Sequence, residues 1–416
     1  MSYEEFIEEV KGHILDYLPA EARENATVVV DVFKKNNAVN LTGLVIRYPE
    51  TNISPTIYLD HYYTAYLNAG KDLEEIMLDI AETYQTYRLD HSIDTERIFN
   101  PDYLKDHLYF TVVGQTANAE MLKHMPHESL HDMALIYKID TTEIVGDASS
   151  ITVTDKTLDV MQMDVCEMQE IASQNTPVLK PYTLRTLTDV IREMYINDLQ
   201  NGGMSLADGL EEAVDALLNS QSVPPMYYLG NQEGMYGAAA MYYPGVLDEV
   251  AKTIGGSFYI LPSSVHEVLI VPKSIGMPYE ELIHLVRDIN DSVVINDTEI
   301  LTDNVYSYNS RTREFLTAAE AAERDLCARD IQNAGFKPTK QLVANLSQLT
   351  HLTGKHHTLE DISDLQRNAK RMVYHTNPEA NQYISRIIQE CAGQELARLQ
   401  QAQEVATAAV AAVPEA

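Results

Sequence analysis

The sequence predicts an α+β fold, with a body of strand hairpins and helices in two regions followed by an all-α C-terminal module. Short β-branched and apolar runs alternate with amphipathic helical segments, without the regular strand–helix–strand repeat of a parallel sheet. From residue 317 onward the pattern is helical throughout. The length of 416 residues, at about 150 per domain, suggests two to three domains.

The first region, residues 1–160, is predicted to begin with a helix over 3–18, where apolar residues recur at helical spacing. Two β-branched runs, 27–33 and 39–48, flank Asn36-Asn37 and predict a hairpin. Residues 72–88 place their apolar side chains on one face and predict an amphipathic helix. Short strands are predicted at 57–59, 109–113, 133–139 and 150–153.

The second region, residues 161–316, is predicted to start with helices and to continue with strands. The helical pattern runs from 155 to 172, and Pro177 and Pro181 are expected to break it. Further helices are predicted at 183–196, 205–218, 245–253 and 279–290. Strands are predicted at 226–229, 237–242, 258–261, 268–271 and 305–308.

Residues 317–401 are predicted to form a helical module. Glycines and prolines divide it into helices at 317–333, 338–351, 358–374 and 378–401. The Ala-rich tail, 402–416, is expected to fray.

The acidic charge is concentrated in the body. Residues 1–316 hold 20 basic and 50 acidic side chains, or −30, whereas residues 317–416 hold 10 and 12, or −2. A field of this sign excludes binding of nucleic acid or an anionic membrane through the body. It permits an alternative function, an acidic DNA mimic that occupies the basic groove of another protein.

Cysteine content and targeting signals predict a cytoplasmic protein. Cys166, Cys327 and Cys391 are far apart and form no CxxC pair, which argues against a disulfide framework. The N-terminus is acidic and lacks the basic start and apolar run of a signal peptide. No segment reaches the ~18 apolar residues of a membrane span, so we expect no membrane partner.

One segment, His127-Glu128-Ser129-Leu130-His131, matches H-E-x-x-H. On a helix, His127 and His131 would face one zinc ion, and Glu128 would deprotonate the bound water. Pro126 places the motif in a first helical turn, however, and a strand pattern begins two residues after it. The alternative interpretation is a helix N-terminus with incidental histidines.

A second candidate site lies between two predicted strands. Ser263, Ser264, His266 and Glu267 put hydroxyl, imidazole and carboxyl groups within five residues and would line a binding pocket. The alternative is a strand cap with a hydrogen-bonded histidine.

Several segments resemble an uncharacterised bacterial family, domain of unknown function 5688, over residues of about 1–312. The most specific is the run from Phe258 to Val268, with its Pro-Ser-Ser-x-His-Glu centre. The second half is more remotely similar to domain of unknown function 1444. Residues 336–357 look similar to helical modules on proteins of conjugative elements. Other segments that carry the first resemblance are 3–6, 54–59, 73–76, 175–177, 226–229, 236–239 and 243–247.

The resemblance implies kinship of fold and no particular activity. We therefore expect a non-enzymatic binding or regulatory protein, associated with mobile genetic elements, that has a protein partner and no cofactor. The alternatives are the zinc-dependent hydrolase, which would need zinc, and the DNA mimic.

Overall fold

A computed structural model gives the fold, and it describes residues 1–68, 70–89, 91–146, 149–201, 214–215, 225–292, 296–333, 340, 343–344 and 347. By its contacts the chain divides into two compact units, 1–305 and a second that begins at Tyr306. The predicted α+β class is confirmed. The predicted boundaries at 160 and 316 stay predictions, and the helices predicted at 205–218 and beyond 337 lie almost entirely outside the described residues.

The first sheet of unit 1 contains β1 (Thr27–Lys34), β2 (Asn40–Arg47) and β3 (Thr56–Tyr58), paired antiparallel in that order. Three helices pack against it: α1 (Tyr3–His13), α3 (Asp60–Asn68) and α4 (Leu73–Tyr87). Both α1 and α4 begin with a capping box, Ser2 with Glu5 and Asp72 with Glu75, which satisfies their first N–H groups. The shared core includes Phe6, Val10, Leu44, Ile46, Ile57, Ile76, Ile80 and Tyr84.

The second sheet is built around β6 (Met133–Asp140). On one side β6 pairs along its whole length with β4 (Leu108–Gly114). On the other side it pairs first with β5 (His127–Leu130) and then with β7 (Ser150–Thr152). All pairs are antiparallel.

The third sheet of unit 1 has the antiparallel order β8-β9-β11-β10. Its strands are β8 (Tyr182–Thr186), β9 (Tyr227–Asn231), β10 (Phe258–Leu261) and β11 (Val268–Pro272). A 3-10 helix, Gly237–Tyr242, packs against β9 and β11.

The remaining helices of unit 1 are α2 (Ala20–Arg23), α5 (Thr95–Ile98), α6 (Pro101–Asp106), α7 (Ala119–Leu122), α8 (Thr142–Val145), α9 (Asp155–Met161), α10 (Val165–Leu179), α11 (Leu187–Asn201), α12 (Val246–Ile254) and α13 (Tyr279–Asn290).

Unit 2 opens with a hairpin of β12 (Tyr306–Asn309) and β13 (Glu314–Thr317), followed by α14 (Ala318–Asn333). Arg324 of α14 donates to Glu314 of the hairpin at 2.5 Å. This helix confirms the one predicted at 317–333. Within the described residues of both units, no helix is long and apolar enough to cross a membrane.

Asparagines at the tip of the β1–β2 hairpin connect the first sheet to distant segments. Asn37 adopts a left-handed conformation (φ 59°), and its side-chain Nδ2 donates to the carbonyls of Asp297 and Ile300 at 2.8 and 2.7 Å. Its backbone N–H donates to Asn118, whose own Nδ2 donates to the Asn37 Oδ1. The predicted hairpin turn is therefore also an anchor for residues 297–301.

A buried lysine joins the second and third sheets. Lys180 follows α10 and is 6% exposed. Its Nζ lies 2.5 Å from an oxygen of Asp140, at the end of β6, and 2.8 Å from both oxygens of Glu233, in the turn after β9. Although burial opposes it, these bonds raise the pKa of Lys180 and keep the amine charged.

Three predicted elements are wrong. Residues 237–242 form a 3-10 helix rather than a strand, because their backbone turns back over β9 and β11. The helix predicted over 183–196 starts at Leu187, since Tyr182–Thr186 pair with β9. Pro177 does not break a helix but lies inside α10.

Removal of the Lys180 amine should destabilise the protein. Lys180→Met leaves the buried Asp140 carboxylate (14% exposed) without its cation, so we expect a loss of about 3 kcal/mol in the free energy of unfolding. Urea denaturation measures it. Lys105→Met is the control: its exposed pair with Glu167 should contribute less than about 1 kcal/mol. Equal losses in the two variants would contradict the assigned role of Lys180.

Candidate functional site

The H-E-x-x-H segment forms a strand, which corrects the expected helical turn. His127 to Leu130 are β5, and each residue pairs with one of β6, from His127 opposite Ile136 to Leu130 opposite Met133. His131 lies in the tight turn between the strands, with φ 58°. These strand hydrogen bonds override the local preference after Pro126 for a helix start.

This geometry does not present the two imidazoles as a helix would. The zinc interpretation needs His127 and His131 one helical turn apart, with Glu128 between them. In the strand, His127 Nδ1 donates instead to the Met125 carbonyl at 3.0 Å, and Glu128 is exposed. Among the described residues, no three His, Cys, Asp or Glu side chains are grouped so that they could hold a metal ion.

The predicted binding residues Ser263, Ser264, His266 and Glu267 lie together in the loop between β10 and β11. Backbone bonds fix this loop against the 297–301 segment. Val265 donates to the carbonyl of Glu299 at 2.9 Å, and Leu301 donates to that of Ser263 at 3.0 Å. Asn37 donates to carbonyls of the same segment, so the β1–β2 hairpin tip and this loop are held by one stretch of chain.

His266 is held by two hydrogen bonds. Its backbone N–H donates to Ser264 Oγ at 2.9 Å, and its ring Nδ1 accepts from the backbone N–H of Tyr236 at 3.2 Å. The second bond requires a lone pair on Nδ1, so the neutral ring carries its proton on Nε2, which lies 3.8 Å from Glu299 Oε1. Burial raises the pKa of Glu267, although nearby His266 and a hydrogen bond with Ser264 oppose the shift.

Tyr236 approaches His266 from the turn after β9. Its backbone is left-handed (φ 56°), and its ring centroid is 5.7 Å from that of His266. The next residue must be glycine: a Cβ at Gly237 would lie 2.5 Å from the Asn231 nitrogen and 2.6 Å from the His266 carbonyl oxygen. The close approach of these backbones sets the distance between the two rings.

Lys138 of β6 completes this cluster. Its Nζ lies 4.8 Å from the Tyr236 ring centroid and 3.4 Å from Thr152 Oγ1. Among the described residues no carboxylate forms an ion pair with it. Burial, together with the charge of Lys35, lowers its pKa to about 8. We call Lys35, Lys138, Tyr236 and His266 the lysine site.

The sequence predicted the loop between β10 and β11 as a candidate site. It did not indicate Lys138, Tyr236 or Lys35. One signal was present, since Lys138 interrupts the apolar run Met133-Ala134-Leu135-Ile136-Tyr137. Tyr236 and Lys35 carry no such signal, because they become neighbours of Lys138 only through tertiary structure.

Fold and site define an α+β protein in which strands and turns from distant parts of unit 1 assemble one polar cluster. The chain belongs to a family of unknown function, domain of unknown function 5688, whose sequence pattern matches residues 3–310. The comparisons do not show the more remote similarity to domain of unknown function 1444. No curated protein and no solved structure matches the chain.

Gly237→Ala should destabilise unit 1. The added methyl group would meet backbone atoms that cannot move independently, so we expect a loss of about 1–3 kcal/mol in urea denaturation. Gly256→Ala is the matched control, because a Cβ there would have no atom within 4 Å. If both variants unfold at the same urea concentration, the close approach at Gly237 is not restrictive.

Lys138→Met should stabilise the protein at neutral pH. The folded pKa of about 8 lies below the ~10.4 of an unfolded lysine, so folding penalises the charged amine. The penalty is full below pH 8 and is relieved as the pH rises toward 10.4, because the unfolded chain then binds more protons. The wild-type free energy of unfolding should therefore rise across this window, by about 1–3 kcal/mol.

The Lys138→Met protein should lack this rise, and urea denaturation at a series of pH values measures it. Exposed Lys156 provides the control, since Lys156→Met should keep the wild-type pH dependence. A Lys138→Met protein that is less stable than wild type at pH 7 would show that this lysine is structural.

Proposed function

We propose that the protein is a binding protein whose lysine site takes a small ligand with a carboxylate or phosphate group. The observation that carries this proposal is the missing counterion of Lys138. The chain has 62 acidic residues, yet within its described part none forms an ion pair with this partly buried amine. Ionisable side chains whose pKa is shifted by burial, and which therefore lower the stability of the fold, are typical of functional sites.

The nearest strand carboxylate is already engaged. Asp140 is two residues from Lys138 and therefore on the same face of β6. Its oxygens accept from Lys180 and from the backbone of Thr142. The triad of Lys180, Asp140 and Glu233 thus supports a binding role for Lys138, because it leaves that lysine to an external anion.

A second cation, Lys35, supports the proposed binding of an anion. Lys35, the residue after β1, acts electrostatically on Lys138, and its own Nζ lies over the ring of Tyr58 at 4.4 Å. Two positive charges that interact repel each other, and an anion near both would offset this repulsion. Tyr236 adds a phenol whose pKa is raised by burial and by Glu299, so its hydroxyl remains a hydrogen-bond donor.

We propose, as the sequence predicts, that the protein is cytoplasmic. The free thiols of Cys166, which is exposed, and Cys327, which is buried, suit a reducing compartment. A protein partner, an association with mobile elements and DNA mimicry remain predictions of the sequence.

Inorganic phosphate is the simplest probe of the site. We expect phosphate to raise the Tm of the full chain relative to sodium chloride at the same ionic strength, because a ligand that binds only the folded state stabilises it. Lys138→Met should abolish the increase, and Lys156→Met should preserve it. The same increase in wild type and Lys138→Met would contradict the proposal.

A further inference from the structure

A groove lies between α11 and one face of the third sheet. Its walls come from β8, β9, the turn after β9 and α11, and its volume is about 350 Å³. This volume is at the lower end of the range for small-molecule sites, so the groove suits a ligand of amino-acid size. It shares no residue with the lysine site.

The helical wall of the groove is not part of the core contact of α11. Four residues of α11 line the groove at the spacing of a single helix face: Val190, Glu193, Met194 and Asn197. Three apolar residues of the same helix pack instead against buried Val214: Ile191, Ile196 and Leu199. The groove-facing side of the helix is therefore partly polar and is not needed to hold α11 to Val214.

The ring of Tyr228, in β9, lines the groove from the sheet side. A Cβ at Gly230 would lie 2.8 Å from both Cε1 and Oη of Tyr228. The ring therefore occupies the space that a side chain at position 230 would take, and it lies along the strand. A flat aromatic surface of this kind stacks well on another ring. Met194 in the helical wall is 61% exposed and adds apolar surface.

One ion pair joins the two walls. Arg185 of β8, which is opposite Tyr228 in the strand pairing, donates to Glu193 of α11. The Arg185 side chain is 40% exposed and that of Glu193 is 55% exposed, so the pair contributes little to stability. A ligand that carries both charges replaces each partner of this pair at little cost.

We propose that the groove binds a free α-amino acid with an aromatic side chain. The ligand carboxylate accepts hydrogen bonds from the Arg185 guanidinium, and the ligand ammonium donates to the Glu193 carboxylate. The ligand ring stacks on Tyr228. The inference goes beyond the proposed function, because it assigns a second site and a ligand of different charge.

The surroundings favour a ligand with a positive charge over a simple anion. Glu233 also lines the groove, so the lining holds two carboxylates and one guanidinium within the described residues. Glu233 is bonded to Lys180, which leaves Glu193 for the ligand ammonium. The −30 charge of residues 1–316 attracts cations and repels anions from a distance.

A direct binding test is possible because the chain contains no tryptophan. L-Tryptophan is titrated with the full-length protein and excited at the long-wavelength edge of its absorption, where tyrosine does not absorb. Fluorescence anisotropy then gives the bound fraction. We expect saturable binding of L-tryptophan. Tryptamine, which lacks the carboxylate, and indole-3-propionate, which lacks the ammonium group, should bind at least about tenfold more weakly, since each loses one charge-assisted hydrogen bond.

Two substitutions should change this preference in opposite directions. In Arg185→Met the guanidinium is gone and Glu193 is released, so the advantage of L-tryptophan over tryptamine should disappear. In Glu193→Gln the guanidinium is released instead, so the advantage over indole-3-propionate should disappear. Arg97→Met is the matched control: Arg97 is an exposed arginine paired with Glu143 outside the groove, and its loss should leave the three Kd values unchanged.

The proposal is overturned if L-tryptophan shows no saturable rise in anisotropy. Equal Kd values for the three probes in wild type would overturn the amino-acid class, and unchanged preferences in both Arg185→Met and Glu193→Gln would place the binding outside the groove. Lys138→Met should bind L-tryptophan like wild type, so this proposal and the proposed function can fail separately.

Discussion

Lys180 is a buried cation whose amine is held by two carboxylates, those of Asp140 and Glu233. Asp140 is largely buried and Glu233 is 40% exposed, and together they tie the end of α10 to the second sheet and to the turn after β9. The contact therefore helps to hold the turn after β9, which carries Tyr236, against the end of β6. The two carboxylates keep this buried cation charged, and removal of the lysine would leave the largely buried Asp140 carboxylate uncompensated.

The same contact explains why a local positive charge persists in a strongly acidic protein. Long-range fields depend on the sum of all charges, but a partly buried amine responds mainly to its nearest neighbours and to its loss of water. For Lys138 those neighbours are a tyrosine ring, a threonine hydroxyl and another lysine. The acidic surface and the lysine site thus act at different distances: the surface repels large polyanions, and the site would attract a small anion under the proposed function.

Sequence patterns predicted the parts of the fold that depend on local periodicity. The β1–β2 hairpin, the amphipathic α4 and the strands β10 and β11 follow from alternation and helical spacing. Where tertiary pairing outweighs local preference, the predictions were wrong. The β5 strand owes its conformation to β6, and residues 237–242 owe theirs to packing against β9 and β11.

The residues of the candidate site also differ in whether the sequence could predict them. Ser264, His266 and Glu267 are close in sequence and could be grouped by inspection, whereas Lys35, Lys138 and Tyr236 belong together only in three dimensions. No local pattern encodes a distance between residues in different sheets. Apart from His266, the one sign of the lysine site in the sequence is Lys138, which interrupts an apolar strand.

The anchor between the hairpin tip and residues 297–301 has a consequence for biogenesis. Asn37 and the Ile300 carbonyl are separated by 263 positions, so the hairpin leaves the ribosome long before its acceptor does. During that interval the Asn37 side chain remains hydrated. Contacts of such high sequence separation form late, since a large loop must close first. Under the proposed function, ligand affinity would thus be acquired only at the end of folding.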